Sequence, residues 1–321
     1  MTTLITGAGL VGTSFAQWAI KRSEPLVFLD PEPRTEFLRF KLGNSDYRLV
    51  QGNVRNLPDL LDAVRAHQVE TIVHTAGMIG GRVDQALYAA FFTNLGGTLN
   101  VAEAVRLAGV KRLVHISTLG VYDWRRPMSG PPKEDFPRGE GRGYGNFKVA
   151  KELILEAYQR RYGFELIMLR LGLVFGLGHF WSGSSGGEKM QDLLEAAAHG
   201  TIAKVRAADM AANEYVYAKD IGRAIDLAAT VPMPQETIFN IGSGELVQFG
   251  TVIDTTRKLV PSLRVEIEQG KPGESHAYAM DIARPGQHLH WQPRYSLESG
   301  IEDYLSELKT VSGSAKVKMR A

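Results

Sequence analysis

Tyr144 and Lys148 stand four residues apart in Tyr144-Gly145-Asn146-Phe147-Lys148, a spacing that puts both side chains on one helix face, one turn apart. An ammonium so placed favours the ionised form of a phenol and lowers its pKa from about 10 toward neutral. The phenol can then trade a proton with a substrate hydroxyl or carbonyl. An aromatic ring packed under a lysine stem has the same spacing, so the chemistry follows only if the chain also supplies a hydride carrier. Ser117 and Thr118 end an apolar run, Arg112 to Ile116, that reads as a buried strand. Hydroxyls at the carboxyl end of such a strand lie where open α/β sheets place their ligands and could polarise a substrate oxygen.

The carrier's site is legible upstream. Residues 2–6 (TTLIT) read as a short buried strand running into Gly7-Ala8-Gly9-Leu10-Val11-Gly12, and 13–21 has helical apolar spacing. Strand, glycine-rich turn and helix make a cradle in which backbone N–H groups hold a pyrophosphate. Leu26 to Leu29 is a second apolar strand, ended by Asp30, 18 residues after Gly12. A carboxylate there accepts the ribose hydroxyls of an adenosine and repels a 2′-phosphate, which favours NAD over NADP. Capping the turn at Pro31 is its other reading, and Arg34 follows closely enough to leave NADP as the alternative.

The alternation continues, with a strand at Tyr47 to Val50, a helix at Leu57 to Ala66, and a strand at 71–77 that breaks at small residues suited to a loop pressed on a flat cofactor. His74 in that strand is placed in the wall of the site, because nothing near it in sequence orients it as a base. A long helical pattern fills 85–109, and Tyr144 opens another that continues through Tyr158. Repeated strand-helix units predict an α/β fold, a doubly wound parallel sheet with right-handed crossovers. The stretch 177–200, with His179, Phe180, Trp181 and a glycine-serine loop, has the composition of a mobile lid over the substrate pocket. A surface loop whose aromatics pack on the smaller lobe is the other reading.

The totals bound the rest. The 321 residues suffice for one principal domain with a grafted lobe. With 37 basic and 35 acidic side chains the formal net charge is +2, and no basic stripe points to nucleic acid. The absence of cysteine excludes disulfides, thiolate nucleophiles and cysteine metal ligands, and no metal is expected. No signal peptide or apolar span is visible, so a cytoplasmic protein without membrane contact is the expectation.

Taken together these residues resemble the extended short-chain dehydrogenase/reductase family, the group that includes nucleotide-sugar epimerases and dehydratases. The resemblance spans nearly the whole chain: Thr6 to Gly12, Asp30, His74-Thr75-Ala76-Gly77, Asn94 with Gly97-Thr98, Ser117-Thr118 with Val121-Tyr122, Tyr144 with Lys148, Arg170, Val174-Phe175-Gly176, Tyr215-Val216-Tyr217 with Asp220, Asn240 to Gly244, Lys271 to Glu274, and Leu289-His290-Trp291. It implies a Rossmann domain of 1–171 and 216–245 and a smaller, mainly C-terminal substrate lobe of 172–215 and 246–321. It implies Tyr144 as acid/base, Lys148 on the nicotinamide ribose, and Thr118, with Ser117 second, on the reacting oxygen. NAD would lie on Gly7, Gly9, Leu10, Val11, Gly12, Asp30, Thr75, Ala76 and Gly77, with Asn53 and Val54 at the adenine and Asn94 supporting the helix beside the site. Met78, Thr118, Leu173, His179, Trp181 and Lys271 would meet the substrate. Dimerisation through helices at about 85–108 and 144–162 follows by the same analogy.

Departures from that pattern narrow the activity. Dehydratases of the family carry an acidic pair after the catalytic threonine, where this chain has Leu119-Gly120. Members gripping a nucleotide diphosphate carry asparagine at the position of Leu173 and arginine near Asn213-Glu214, leaving Lys271 as the remaining anion contact. The expectation is an NAD-dependent dehydrogenase or reductase acting on a secondary alcohol or ketone of a small polar molecule, a sugar or sugar acid. An NAD-retaining epimerase is the alternative, and a non-catalytic dinucleotide sensor is disfavoured by the intact Tyr144 and Lys148.

Overall fold

The computed structural model describes residues 2–139, 143–179 and 184–312. The strands are β1 (Thr2–Thr6), β2 (Leu26–Asp30), β3 (Arg48–Gln51), β4 (Val69–His74), β5 (Arg112–Thr118), β6 (Glu165–Leu171), β7 (Leu173–Phe175), β8 (Ile202–Val205), β9 (Tyr215–Tyr217), β10 (Ile238–Ile241) and β11 (Arg264–Ile267). The helices are α1 (Leu10–Ala19), α2 (Thr35–Leu42), α3 (Leu57–Ala66), α4 (Gly81–Gln85), α5 (Leu87–Ala90), α6 (Gly97–Ala108), α7 (Gly143–Tyr162), α8 (Ser185–His199), α9 (Ala218–Thr230), α10 (Phe249–Leu259), α11 (Ala283–Leu289) and α12 (Leu297–Ser312).

Seven strands form one parallel sheet in the order β10-β6-β5-β4-β1-β2-β3. Its central strands are continuous apolar runs because helices cover both faces. One face buries Phe15, Phe28, Ile116 and Ile225, and the other buries Leu29, Ile72, Val101 and Leu113. The strand order turns back between β1 and β4, and in such a sheet the crevice beyond the carboxyl ends at that point takes the ligand. Register aligns Thr6 with His74 and His74 with His115. The loops at Gly7 and Thr75 therefore leave the sheet at one level.

Two parallel pairs, β7 with β9 and β8 with β11, lie outside this sheet. They accompany a separate core built on Phe175, Met190, Leu194, Tyr217, Phe249 and Tyr304. No helix among the described residues is long and apolar enough to cross a membrane.

Two elements differ from the sequence reading. The pattern at 85–109 is not one helix: the backbone leaves helical geometry at Ala86 (φ −142°, ψ 56°), and a π-helical turn, Phe91–Gly96, precedes α6. Such turns re-aim a side chain, and here Asn94 is carried toward Met78. Of the stretch read as either a lid or a surface loop, 185–199 form α8, which buries Met190, Leu193, Leu194 and Ala197 in the second core. That spacing is an apolar helix face. Phe180 and Trp181 lie outside the described residues.

Candidate active site

The cradle is assembled from backbone. Gly9 precedes α1 in an extended conformation with no side-chain cap, so the first helical N–H groups, from Leu10, Val11 and Gly12, have no intrahelical partner. Gly7 adopts φ +93°, a region that favours glycine. A Cβ at Gly12 would lie 2.5 Å from the Gly7 carbonyl oxygen, whereas the place of a Cβ on Gly9 is open. Crowding behind and space in front suit the close approach of a phosphate. Thr75 braces the loop, its hydroxyl donating to the carbonyls of Thr6 at 2.6 Å and Gly7 at 3.2 Å. Ala76 reaches the same turn, its N–H 3.5 Å from the Thr6 hydroxyl.

Asp30 caps the turn at Pro31, as one reading expected, by accepting the Glu32 N–H at 2.8 Å, and it also accepts the Ala8 N–H at 2.8 Å. Those two bonds fix the carboxylate beneath the cradle and leave acceptor capacity on both oxygens. Asn53 accepts the Arg55 N–H on its side chain, and its own N–H donates to Asp59. Val54 is buried, in contact range of Gly97. A cavity of about 470 Å³ opens beside this turn, lined by Asn53, Arg55, Asn56, Phe92, Gly96, Leu99 and Asn100. Its position at the end of β3 sets it apart from Tyr144.

Asn94 spends its carboxamide on one neighbour: it accepts the Met78 N–H at 2.8 Å and donates to the Met78 carbonyl at 3.0 Å. It thus pins the Gly77-Met78 loop, and Gly77, at φ +155°, has no room for a Cβ beside it.

The phenol of Tyr144 is hydrogen-bonded to Thr118 at the carboxyl end of β5. Ser117 is not there. Successive strand residues face opposite ways, and the Ser117 hydroxyl donates instead to Glu152 at 2.5 Å in the interior. This removes Ser117 from contact with a substrate oxygen. Lys148 lies with its Nζ 5.8 Å from the centre of the Tyr144 ring and donates to the Ile116 carbonyl at 2.7 Å.

The electrostatics reverse the expected direction for Tyr144. Burial pushes its phenol up to about 12, opposed by the Thr118 hydrogen bond. Burial likewise pushes Lys148 down to about 8, opposed by the charge of Glu152. Desolvation therefore outweighs the hydrogen bond at the phenol and the carboxylate at the amine. His74 lies wholly inside the sheet between the hydroxyls of Thr6 (2.8 Å) and Thr98 (3.0 Å), and burial keeps its ring well below the ordinary histidine range. It is a core residue, not part of the site wall.

Sequence reasoning missed what holds α7 in place. Arg170, on β6, pairs with Glu152 at 3.0 and 2.7 Å and donates to the Glu134 carbonyl at 2.8 Å. Arg138 adds a contact to Glu152 at 3.0 Å. Glu152 lies one turn beyond Lys148 and Arg170 on a strand otherwise apolar from Leu166 to Leu171, a pairing of buried opposite charges the sequence could have suggested. Trp124 stacks on His276 at 3.9 Å and donates to the Leu119 carbonyl at 3.0 Å. No local signal links residues so far apart in the chain.

The expected substrate contacts differ in setting. Met78 is half-buried on its pinned loop, Lys271 is exposed, and Trp181 is outside the described residues. Leu173 turns toward Gly186 at the start of α8, and the His179 ring lies against Gly187, hydrogen-bonded to the Val174 backbone and pushed by burial down to about 4. Glu214, read as an acid beside a diphosphate grip, is instead buried. It accepts the N–H groups of Gly244 and Met280, each at 2.9 Å. It caps loops and presents no charge to a ligand.

Comparison with known proteins gives a match to the NAD dependent epimerase/dehydratase family over residues 3–242. The chain is 28% identical to UDP-glucose 4-epimerase of Mycolicibacterium smegmatis, covering 94% of this chain and 96% of that one. It is 27% identical to dTDP-glucose 4,6-dehydratase of Xanthomonas campestris, covering 97% and 95%. Among solved structures, UDP-glucose 4-epimerase of Thermus thermophilus, in complex with NAD, superposes with a TM-score of 0.80 at 22% identity over 96% of this chain and 99% of that one.

Proposed function

The chain belongs to the NAD dependent epimerase/dehydratase family, and from that premise we propose that it moves a hydride between NAD and a secondary alcohol or ketone carbon of a small polar substrate, a sugar or sugar acid. The observation that carries this reading is the Tyr144 phenol on Thr118 at the end of β5, with Lys148 one turn behind it. Leu10, Val11 and Gly12 would hold the diphosphate, Asp30 the adenosine ribose, and Asn53 with Val54 the adenine. Bound there, the nicotinamide supplies or accepts the hydride. Thr118 orients the substrate oxygen, and Tyr144 gives or takes its proton. Near neutral pH the phenol is protonated and set to donate to a carbonyl oxygen. Drawing a proton from a carbinol calls on the Lys148 ammonium, a charge that is lost as pH rises past about 8.

A second reading, an NAD-retaining epimerase of a nucleotide sugar, is favoured by the similarity to UDP-glucose 4-epimerase along nearly the whole chain. It uses the same residues to oxidise and re-reduce one carbon. Leu173 and Asn213 in place of diphosphate-binding residues support the first reading, and Leu119-Gly120 argue against dehydration. Incubation with NAD and, separately, UDP-glucose, free aldoses and uronic acids separates them. Net growth of the reduced-nicotinamide band with a free sugar is the expected result. Conversion of UDP-glucose with no net absorbance change would replace the first reading by the second.

Asp30→Ala should weaken NADH binding by roughly 10- to 100-fold, the worth of hydrogen bonds to a carboxylate. NADPH should lose less. Both lose whatever the bond to Ala8 contributes to the cradle, so the difference between them is the measure. Equal losses in a fluorescence titration would mean that the carboxylate does not read the ribose.

The second core supports division into a cofactor domain of 1–171 with 216–245 and a substrate lobe. Exposed Leu87, Tyr88, Phe91, Leu107, Leu153 and Tyr162 on the α5 to α7 region support a homodimer closed through these helices.

A further inference from the structure

Three residues beyond Lys148 on α7, Lys151 is 1% exposed. Its Nζ has one long contact, 3.5 Å to the Ala76 carbonyl, and lies 3.6 Å from where a Cβ on Gly77 would be. The titratable groups around it are Lys148 on its own helix, His74 on β4 and His115 on β5. Asn94 borders the same Gly77 position from the π turn. Glu152, the nearest carboxylate in sequence, is committed to Arg170, Arg138 and Ser117. Among the described residues no carboxylate pairs with Lys151. His74 is bonded by two hydroxyls, and His115 has no hydrogen-bond partner on either ring nitrogen among the described residues. An ammonium with one weak acceptor in such surroundings is costly, so the amine is favoured in its neutral form.

Its position gives that amine a use. Ala76, which it touches, closes on the glycine cradle: a Cβ on Gly7 would lie 3.3 Å from the Ala76 nitrogen. Lys151 therefore stands one backbone layer behind the place where a diphosphate would rest. We propose that Lys151 is a reserve charge of the cofactor site, an uncharged buried amine that takes up a proton when a dinucleotide diphosphate enters the cradle. The proposal rests on the cradle binding NAD or NADH. Burial, with the charge of Lys148 added, holds Lys151 well below the ordinary lysine range. An anion one layer away favours the ammonium and works against both. Lys151 acts through the loop and the field, and touches no reacting atom.

Calorimetry of NADH binding at pH 7, in phosphate and in Tris, reads the protons taken up from the difference in buffer ionisation heat. At that pH Lys148, at about 8, is already mostly charged and adds little. Wild type should take up a large fraction of one proton per NADH, and Lys151→Met should lose roughly half of that uptake or more. Lys151→Gln, which keeps a polar contact for Ala76, serves if the methionine variant folds poorly. No uptake by wild type, or uptake unchanged in the variants, overturns the proposal; the second result would assign the proton to His74, His115 or Lys148. Absence of NADH binding by wild type would sink the cofactor reading itself. In the unliganded protein Lys151→Met should melt no lower than wild type at pH 7. The advantage should shrink as pH rises toward about 10, because a lysine whose folded pKa is depressed destabilises most at low pH. A methionine variant that melts lower at pH 7 with its deficit constant across that range would overturn the neutral amine.

Discussion

Tyr144→Phe is expected to lower kcat by roughly 10²- to 10⁴-fold, the usual worth of a positioned proton-transfer group. NADH affinity should stay within about twofold. The change removes one oxygen. The ring remains on α7, and Thr118, half-buried at the end of β5, still accepts the Gly120 N–H at 3.3 Å. Fold and cradle should therefore survive, and the loss should fall on the chemical step. The remaining hydroxyl of Thr118 can orient a substrate oxygen, but an aliphatic hydroxyl is a far weaker acid than a phenol and does not replace it in the proton transfer. Single-turnover hydride transfer, followed in the reduced-nicotinamide band, isolates that step. A variant turning over within threefold of wild type would take the proton transfer away from Tyr144. In the wild type, turnover that draws a carbinol proton should climb with pH as the phenolate fraction grows, and level off past about 8, where Lys148 loses its charge.

The largest effect on stability should come from Glu152→Ala. Glu152 is fully buried and answers Arg170, which is 1% exposed. Removing one partner of a buried pair leaves the other charged and unpaired, a loss of about 3–5 kcal/mol. Burial alone would raise the Glu152 carboxyl, but Arg170, Ser117 and Arg138 more than offset it and hold it below its ordinary value. A carboxyl depressed in the folded state stabilises above its unfolded pKa of about 4.3, and that contribution is lost as pH falls. The gap between wild type and variant in denaturant titrations should thus be full at pH 7 and close on acidification. A loss below about 1 kcal/mol at pH 7 would show that the network sets the position of α7 without holding the fold. Turnover should fall as well, because Glu152 lies one turn beyond Lys148 and its charge helps keep that amine protonated.

Local features were the legible ones. The cradle, Asp30 and the Tyr144-Lys148 pair depend on residues close in sequence, and the parallel sheet follows from apolar runs alternating with helical spacing. The choice between Ser117 and Thr118 was not legible. β5 is covered on both faces, so its sequence lacks the polar alternation that tells inward from outward. The role of Glu214 was not legible, because sequence does not show the two amides, from Gly244 and Met280, that it caps. The burial of Lys151 was not legible either, because it depends on packing against β4 and β5 rather than on its neighbours along the helix.

The sequence by itself determined the chain's alternation of strands and helices, the glycine-rich turn after β1 and the one-turn spacing of Tyr144 and Lys148. Those depend on backbone geometry and on neighbours within a turn or two. Only the tertiary structure decided the protonation of that set. Burial raised the Tyr144 phenol and lowered the Lys148 and Lys151 amines, and desolvation depends on every atom packed around a group, most of them distant in sequence.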